Sequence, residues 1–375
     1  MQYLGDRAIG RDNNFDSIRW LAASLVIVSH ESALLPNGGT EPLARVGGGF
    51  STLGTVAVDV FFVTSGFLVT RSLLERRSLR HFVAARLLRV LPGLAVVLVL
   101  SAYVLGPIVT TLPLAAYLTD AAVPAYVARN LNLLVMDPQW GLPGVFADNR
   151  HPHAVNGSLW SLWPEVRAYG ILLGLGIVAL VAPRRAAVIV GVGMAITVVA
   201  GWVLHEDPAG GGLEPLTLAR LAPYFATGSL LYLLRRRIPH AALLVAAVVA
   251  WAAVASTRGH PAFVPMFTLA LAFAVVWLAH VPLGPLARWG RHGDVSYGLY
   301  IYAFPIQQAL AARWPEWSLA AHLTASYVLT LACAFASWRL VEEPALRAKN
   351  LFAARPLRPG EEPLAVASPA AAAGA

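Results

Sequence analysis

The stretch FDSIRWLAASLVIVSHE, residues 15–31, decides the fold, because it is apolar and yet contains an arginine and a histidine. Arg19 and His30 are eleven residues apart, which in an α-helix is about three turns and roughly 16 Å along the axis. Both side chains therefore point to the same side of the helix. If this helix crosses a membrane, two ionisable groups line one interior face, and such groups are functional candidates.

The composition predicts that the segment does cross a membrane. Hydrophobic residues make up 57% of the 375 positions, charged residues 13%, and the mean hydropathy is +0.62. These values lie far from those of a typical soluble domain. The predicted fold class is all-α, a polytopic membrane protein with about ten transmembrane helices of ~20 residues each. The predicted spans are 16–34, 52–74, 87–107, 157–182, 186–204, 217–234, 239–256, 262–280, 295–312 and 319–340.

The basic residues predict the orientation of the chain. The formal net charge is +8, and every basic residue except Lys349 is an arginine. Most arginines cluster between alternate spans, a bias typical of cytoplasmic loops, so both termini are predicted in the cytoplasm of a protein of the cell (inner) membrane. This pattern explains the charge without a nucleic-acid partner. The clusters include Arg76, Arg77, Arg80, Arg86, Arg89, Arg184, Arg185, Arg235, Arg236, Arg237, Arg288 and Arg291.

The domain organisation is predicted to be simple. Residues 1–347 are interpreted as one membrane domain and residues 348–375 as a disordered cytoplasmic tail, since the tail has little to bury. The proline-containing connection 108–156 is predicted to be a lid or a partly re-entrant segment at the outer face. Cys333 is the only cysteine, so no intrachain disulfide can form. No metal site is predicted, and the sequence leaves the oligomeric state open.

Three ionisable residues are candidates for catalysis in the outer half of the predicted membrane domain. His30 can act as a general base towards a hydroxyl group, although it could also be a structural, hydrogen-bonded histidine at a helix end. Asp59, in GTVAVDVFFVTSGFLVTRSL (54–73), is predicted at a comparable depth and is expected to pair with His30. Ser65 and Gly66 in the same stretch are interpreted as small residues that let helices pack closely.

The third candidate is Glu165, in NGSLWSLWPEVRAYG (156–170). Ser161 lies four residues before it and therefore on the same helix face. Trp160 and Ser161 are candidates for contact with the acceptor, although Trp160 also fits an interfacial aromatic belt. A purely structural ion pair between Arg167 and one of the acidic residues remains the alternative.

Two further motifs predict the ends of a ligand path. In AARLLRVLPG (84–93), Arg86 and Arg89 are three residues apart at the predicted start of a span, where guanidinium groups and free helix amides suit phosphate oxygens. Anchoring to the membrane surface is the alternative for this pair. In DVSYGLYIYAFPIQQ (294–308), Tyr297 and Tyr300 share a face, and Tyr297 is a further candidate for substrate contact.

Taken in order, these motifs resemble one family, the integral-membrane acyltransferase family 3. The resemblance spans about residues 14–347 and rests on F-D-x-x-R with its distant histidine, V-D-x-F-F-x-x-S-G-F, R-x-x-R-x-x-P, W-S-L-x-x-E, S-Y-x-x-Y and a closing E-x-P. It implies a ten-helix fold, an acyl-coenzyme A donor on the cytoplasmic side, and O-acylation of surface glycans or small molecules. One departure is Ala303, which stands where many members of the family have a histidine.

The resemblance and the residues together predict a membrane O-acyltransferase. It would move an acyl group, most often acetyl, from cytoplasmic acyl-CoA to a sugar hydroxyl of a cell-surface or exported glycan, with a glycan or lipid-linked sugar and membrane lipids as partners. A macrolide-type or other secreted small molecule is the alternative acceptor, and a proton-coupled secondary transporter is the alternative class. The predicted roles are catalysis by His30, Asp59 and Glu165; binding of acetyl-CoA by Arg19, Arg86 and Arg89; and acceptor binding by Trp160, Ser161 and Tyr297.

Overall fold

The computed structural model of the chain describes residues 2–7, 13–35, 38–76, 78–135, 137–204, 215–257, 260–284 and 293–352. Two of the sequence predictions fall outside these ranges. They are the arginine cluster at Arg288 and Arg291 and the greater part of the predicted tail, from residue 353 onward.

The described residues are almost entirely helical, which confirms the all-α prediction. Their only β-structure is two isolated bridges, Tyr3 with Pro239 and Thr110 with Val145. Single turns of π-helix or 3-10 helix occur at Ser101–Leu105, Gly157–Ser161, Pro183–Arg185, Trp338–Glu342 and Lys349–Phe352. The α-helices are α1 (Leu4–Arg7), α2 (Phe15–Leu34), α3 (Pro42–Gly47), α4 (Leu53–Arg76), α5 (Leu79–Leu100), α6 (Gly106–Val109), α7 (Leu114–Thr119), α8 (Ala122–Leu131), α9 (Leu162–Val181), α10 (Ala186–Leu204), α11 (Pro215–Leu234), α12 (His240–Ser256), α13 (Phe263–Ala279), α14 (Ser296–Arg313), α15 (Leu319–Ser337) and α16 (Glu343–Ala348).

Each of the ten predicted apolar stretches is helical, and several of these helices can cross a membrane. Five helical segments of the described chain are long and apolar enough to do so by length and composition. They are Leu53–Glu75, Leu79–Val109, Gly157–Val181, Ala186–Val203 and Leu319–Ala348, and three shorter apolar helices are Leu218–Leu234, His240–Ser256 and Phe263–Ala279.

The start of α5 differs from the prediction. The helix begins at Leu79, eight residues before the predicted boundary at 87, because the side chain of Ser78 accepts a hydrogen bond from the backbone N–H of His81 and caps it. Arg86 and Arg89 therefore lie two to three turns inside the helix. Free amides at a helix N-terminus do not contribute to the phosphate site predicted around these arginines, which corrects that part of the sequence interpretation.

The helices α4 and α11 pack with their backbones in close approach. A Cβ atom at Gly66 would lie 1.9 Å from the carbonyl oxygen of Phe225, and one at Gly228 would lie 2.2 Å from the carbonyl oxygen of Val63. Only glycine fits at such a crossing, as is common between membrane helices. The interpretation of Gly66 as a close-packing residue is confirmed.

The connection from residue 108 to 156 covers one end of the helical bundle. It contains α7 and α8 and then a loop that is tied to the bundle by side chains. Asn149 donates to the backbone carbonyl of Gln308 on α14 (2.9 Å), and Arg150 donates to the carbonyl of Leu35 after α2 (2.6 Å). The segment is therefore packed on the ends of α2 and α14 rather than extended away from them.

Candidate active site

Two of the predicted arginines converge on one carboxylate. Arg19 on α2 and Arg89 on α5 donate to the same oxygen, Oδ2 of Asp294, at 2.5 and 2.6 Å. Asp294 precedes α14, and its other oxygen accepts from the hydroxyl of Ser296. Burial raises the pKa of Asp294, but the guanidinium groups of Arg19 and Arg89 outweigh that effect and hold the pKa below its usual range.

The second nitrogen of Arg89 faces another acid. Its Nη1 lies 3.7 Å from Glu342, which is buried and also accepts from the hydroxyl of Ser337 (2.9 Å). The guanidinium of Arg89 lies over the rings of Tyr297 (5.6 Å) and Trp338 (6.0 Å). Arg89 is therefore held on several sides, with its charge matched by two carboxylates.

Arg86 occupies a different environment. Its guanidinium lies 5.8 Å from the ring centroid of Tyr169 on α9, and its Nε is buried without a hydrogen-bond partner among the described residues. The hydroxyl of Tyr169 donates to Glu165, and the same carboxylate oxygen accepts from Ser65 of α4 at 3.2 Å. Arg86, Tyr169, Glu165 and Ser65 thus form one polar group between α4, α5 and α9.

These side chains surround a single cavity of about 280 Å³. It has a basic end and a hydroxyl-rich end, with Glu165 between them. The polar residues that line it are Arg19, Ser65, Arg86, Arg89, Ser161, Glu165, Tyr169, Asp294, Ser296, Tyr297, Tyr300 and Lys349.

A hydrogen bond closes the hydroxyl-rich end of the cavity. The hydroxyl groups of Ser161 and Tyr300 lie 2.7 Å apart, and both residues are buried. One turn farther along α14 the ring of Phe304 lies against Gly157, where a Cβ atom would come within 2.6 Å of the ring. Glycine at 157 therefore lets the aromatic ring occupy this position.

His30 lies beyond this closed end. Its ring meets the ring of Phe304 edge to face, with centroids 5.2 Å apart, and His30 does not line the cavity. The side chain is partly exposed, but its Nδ1 is buried and has no hydrogen-bond partner among the described residues. The path predicted from the arginines to His30 is thus interrupted by the Ser161–Tyr300 pair and by Phe304.

Asp59 has a partner that the sequence reasoning did not consider. Its carboxylate is buried and accepts from Arg220 of α11 at 2.9 Å, instead of pairing with His30 as expected. Arg220 also lies over the ring of Trp160, 5.9 Å from its centroid. The physical reason is that α4 packs along α11, so that the nearest cation to Asp59 comes from that helix.

The cavity therefore brings together six of the nine predicted site residues and leaves out three. Those that line it are Arg19, Arg86, Arg89, Ser161, Glu165 and Tyr297, and those that do not are His30, Asp59 and Trp160. No group of three or more histidine, cysteine or acidic side chains that could hold a metal ion occurs in the described part of the chain.

The sequence reasoning missed Asp294, Arg220, Glu31 and Gln307. Arg220 and Glu31 carried a usable signal, since each is a charged residue within or at the end of an apolar stretch and such a residue requires a partner. Asp294 and Gln307 lie within a quoted motif but stand out only when their contacts are known.

A family model described as an acyltransferase domain matches residues 12–339. A protein named "O-acetyl transferase" from Shigella phage Sf6 is 28% identical over 340 residues, which cover 89% of this chain and 96% of the relative. A protein named "Nodulation protein 10" from Rhizobium leguminosarum bv. viciae is 27% identical over 385 residues, covering 94% of this chain and 98% of the relative. No solved structure matches the chain.

Proposed function

This chain belongs to the acyltransferase 3 family, and on that premise we propose that it is an acyl-CoA-dependent O-acetyltransferase of the cell (inner) membrane. The acceptor is a sugar hydroxyl of a cell-surface or exported glycan, such as a lipopolysaccharide or an exopolysaccharide. The similarity to the phage protein named O-acetyl transferase supports the reaction type. A secreted small molecule is the alternative acceptor.

The observation that carries the proposal is the convergence of Arg19 and Arg89 on one carboxylate oxygen in a cavity that also contains Arg86. Guanidinium groups spaced to share one anionic oxygen can equally bind the oxygens of a phosphate group. In the proposal the phosphates of acetyl-CoA displace Asp294 and take these positions. A proton-coupled transporter gives no reason for three arginines in this cavity.

The orientation follows from the arginine clusters. We place both termini and the arginine end of the cavity in the cytoplasm, and His30 and the connection 108–156 towards the outside, with about ten helices in the membrane. Acetyl-CoA then enters from the compartment in which it is made. The acceptor approaches from the opposite side, where the partly exposed ring of His30 lies.

The proposed chemistry is direct transfer. His30 takes the proton from the acceptor hydroxyl, whose oxygen attacks the thioester carbonyl carbon. The carbon–sulfur bond then breaks, the acetyl group stays on the acceptor, and His30 returns the proton to the coenzyme A sulfur. Glu165 stabilises positive charge along the path, whereas Asp59 orients Arg220 and Trp160 near the acceptor.

This chemistry requires the closed end of the cavity to open. The thioester at the hydroxyl-rich end can reach His30 only if Tyr300 releases Ser161 and Phe304 turns aside. Both contacts are made by side chains of α14, and the proposed opening is a rotation of these two aromatic side chains. We propose that the pantetheine arm of the donor displaces the Tyr300 hydroxyl as it enters.

Donor binding and transfer can be tested separately in purified protein. Saturation with acetyl-CoA at about 100 times the Kd should raise the free energy of unfolding by about 2.7 kcal/mol. Arg86→Gln and Arg89→Gln should weaken this stabilisation. Arg80→Gln is the matched control, because Arg80 is exposed on the same helix and does not line the cavity.

Transfer is measured as acetylation of the glycan in cells that contain or lack the protein. His30→Ala should abolish acetylation and leave the stabilisation by acetyl-CoA intact, whereas the exposed control His260→Ala should preserve both. Acetylation by the His30→Ala variant would refute the catalytic assignment. Absence of any stabilisation by acetyl-CoA would favour the transporter class.

A further inference from the structure

A buried polar cluster lies directly beside His30. Its centre is Glu31, which is 1% exposed and follows His30 on α2. Oε1 of Glu31 accepts from Nε2 of Gln307 and from Oγ of Ser326, each at 2.6 Å. Oε2 is paired with Nδ1 of His322. Gln307, His322 and Ser326 are each 0% exposed and come from α14 and α15.

Such a cluster holds its members in one geometry. An unpaired buried carboxylate would be very unfavourable, but both oxygens of Glu31 are satisfied by partners from two other helices. A buried carboxylate satisfied in this way restrains the side chains that bind it, because each of them can turn only by giving up its bond to Glu31. The orientation of each side chain is therefore determined by the cluster.

The orientation of Gln307 has a direct consequence. Its Nε2 donates both to Glu31 and to the backbone carbonyl of Ile27 (2.9 Å), so both amide hydrogens are in use. An amide with its nitrogen bound in this way must direct its oxygen elsewhere. Oε1 of Gln307 is buried and has no conventional hydrogen-bond partner among the described residues.

The neighbouring group that matches this oxygen is the ring of His30. The two groups that hold the amide of Gln307 flank His30 on α2: the carbonyl of Ile27 lies three residues before it and the carboxylate of Glu31 one residue after it. The buried Nδ1 of His30 likewise has no hydrogen-bond partner in the described part of the chain. A buried acceptor and a buried ring nitrogen, each without a hydrogen bond, thus lie in the same part of the contact between α2 and α14.

We propose that Gln307, held by Glu31, is a positioning residue that accepts a hydrogen bond from Nδ1–H of His30 and leaves the lone pair on Nε2 to act as the base. A neutral imidazole carries one N–H, and the partner of that N–H selects the tautomer. A carboxamide oxygen can select the tautomer in this way without placing a second carboxylate beside the ring. The inference rests on the proposed role of His30 as the general base.

The test is Gln307→Met, which keeps the unbranched shape but removes the carboxamide oxygen. The kcat of acetyl transfer should fall about 10- to 100-fold, the effect seen when the partner that orients a metal-ligating histidine is removed. The KM for acetyl-CoA and the stabilisation by acetyl-CoA should not change, because Gln307 does not line the donor cavity.

The matched control is Gln308→Met, on the next residue of the same helix. Gln308 is also 0% exposed and its carboxamide makes hydrogen bonds to Asn149, to the carbonyl of His151 and to that of Ala154, but not to His30. Both variants should lower the Tm. Only Gln307→Met should lower kcat strongly, which separates positioning from a general loss of stability.

The tautomer provides a second readout. Solid-state NMR of protein labelled with ¹⁵N-histidine, with His30→Asn for assignment, should show His30 protonated at Nδ1 in the wild type and a mixture of tautomers in Gln307→Met. If Gln307→Met does not fold, Glu31→Gln frees the amide of Gln307 and should give the same mixture.

The outcomes distinguish this inference from the proposed function. If His30→Ala still transfers acetyl groups, the proposed function fails. If His30→Ala is inactive but Gln307→Met has the same kcat as Gln308→Met, only the positioning role of Gln307 is overturned. An unchanged tautomer of His30 in Gln307→Met or in Glu31→Gln overturns the same role.

Discussion

The crossing of α4 and α11 at Gly66 allows a quantitative test of the fold. In Gly66→Ala the new Cβ atom would lie 1.9 Å from the carbonyl oxygen of Phe225 and 2.7 Å from its carbonyl carbon. Cβ atoms do not approach other atoms closer than about 3.0 Å. The two helices must therefore separate by about 1 Å, since the obstacle is backbone and not the end of a flexible side chain.

The cost follows from this geometry. Overpacking in a dense interior destabilises by roughly 1–3 kcal/mol, and a clash with backbone belongs at the upper end of that range. The separation also weakens the bond from Ser229 to the carbonyl of Gly66, which is 3.2 Å long. Alanine gains about 1 kcal/mol in helix propensity, so we expect a net loss of about 2 kcal/mol in the free energy of unfolding.

The assay is thermal unfolding of the purified protein in detergent, followed by tryptophan fluorescence. Gly170→Ala is the matched control, because Gly170 is also inside a helix and a Cβ atom there would meet nothing within 4 Å. This control should be stabilised by about 0.5–1 kcal/mol. A Gly66→Ala variant with a Tm as high as that of Gly170→Ala would refute the close crossing of α4 and α11.

Three further predictions concern charge and the closed end of the cavity. Arg220→Met leaves the carboxylate of Asp59 buried without its ion-pair partner, so it should lower the free energy of unfolding by about 3–5 kcal/mol. Adding Asp59→Asn should restore part of the lost Tm. An unchanged Tm for the single variant would contradict the ion pair. Because its two arginines lower the pKa of Asp294, the stability that this carboxylate contributes is present above pH about 4 and is lost as the pH falls through the lowered pKa. The difference in Tm between wild type and Asp294→Asn should therefore become smaller in acid. A difference that does not change with pH would contradict a stabilising role for the charged Asp294 carboxylate. Gly157→Ala should disturb the edge-to-face contact that the ring of Phe304 makes with His30, and so lower transfer while acetyl-CoA still stabilises the protein. Unchanged transfer would show that this contact is not important.

The positions of the helices could be predicted from the sequence because membrane-length apolar stretches have few alternative structures. The ten predicted stretches are all helical, and Arg86 and Arg89, which the helical period placed on one face, both line the cavity. The start of α5 could not be found in this way. Its first turn contains Arg80 and His81, and the cap by Ser78 is a local signal that hydropathy does not contain.

The sequence by itself determined which charged residues lie in apolar helices and how far along each helix they are. Only the tertiary structure decided which of them meet. Asp294 joins Arg19 and Arg89 across separations of 275 and 205 residues, Asp59 pairs with Arg220 instead of His30, and Glu31 meets Gln307 and His322. The physical reason is that the helical period gives the face and depth of a side chain on its own helix, whereas its partner depends on which helices are neighbours and how each is rotated about its axis.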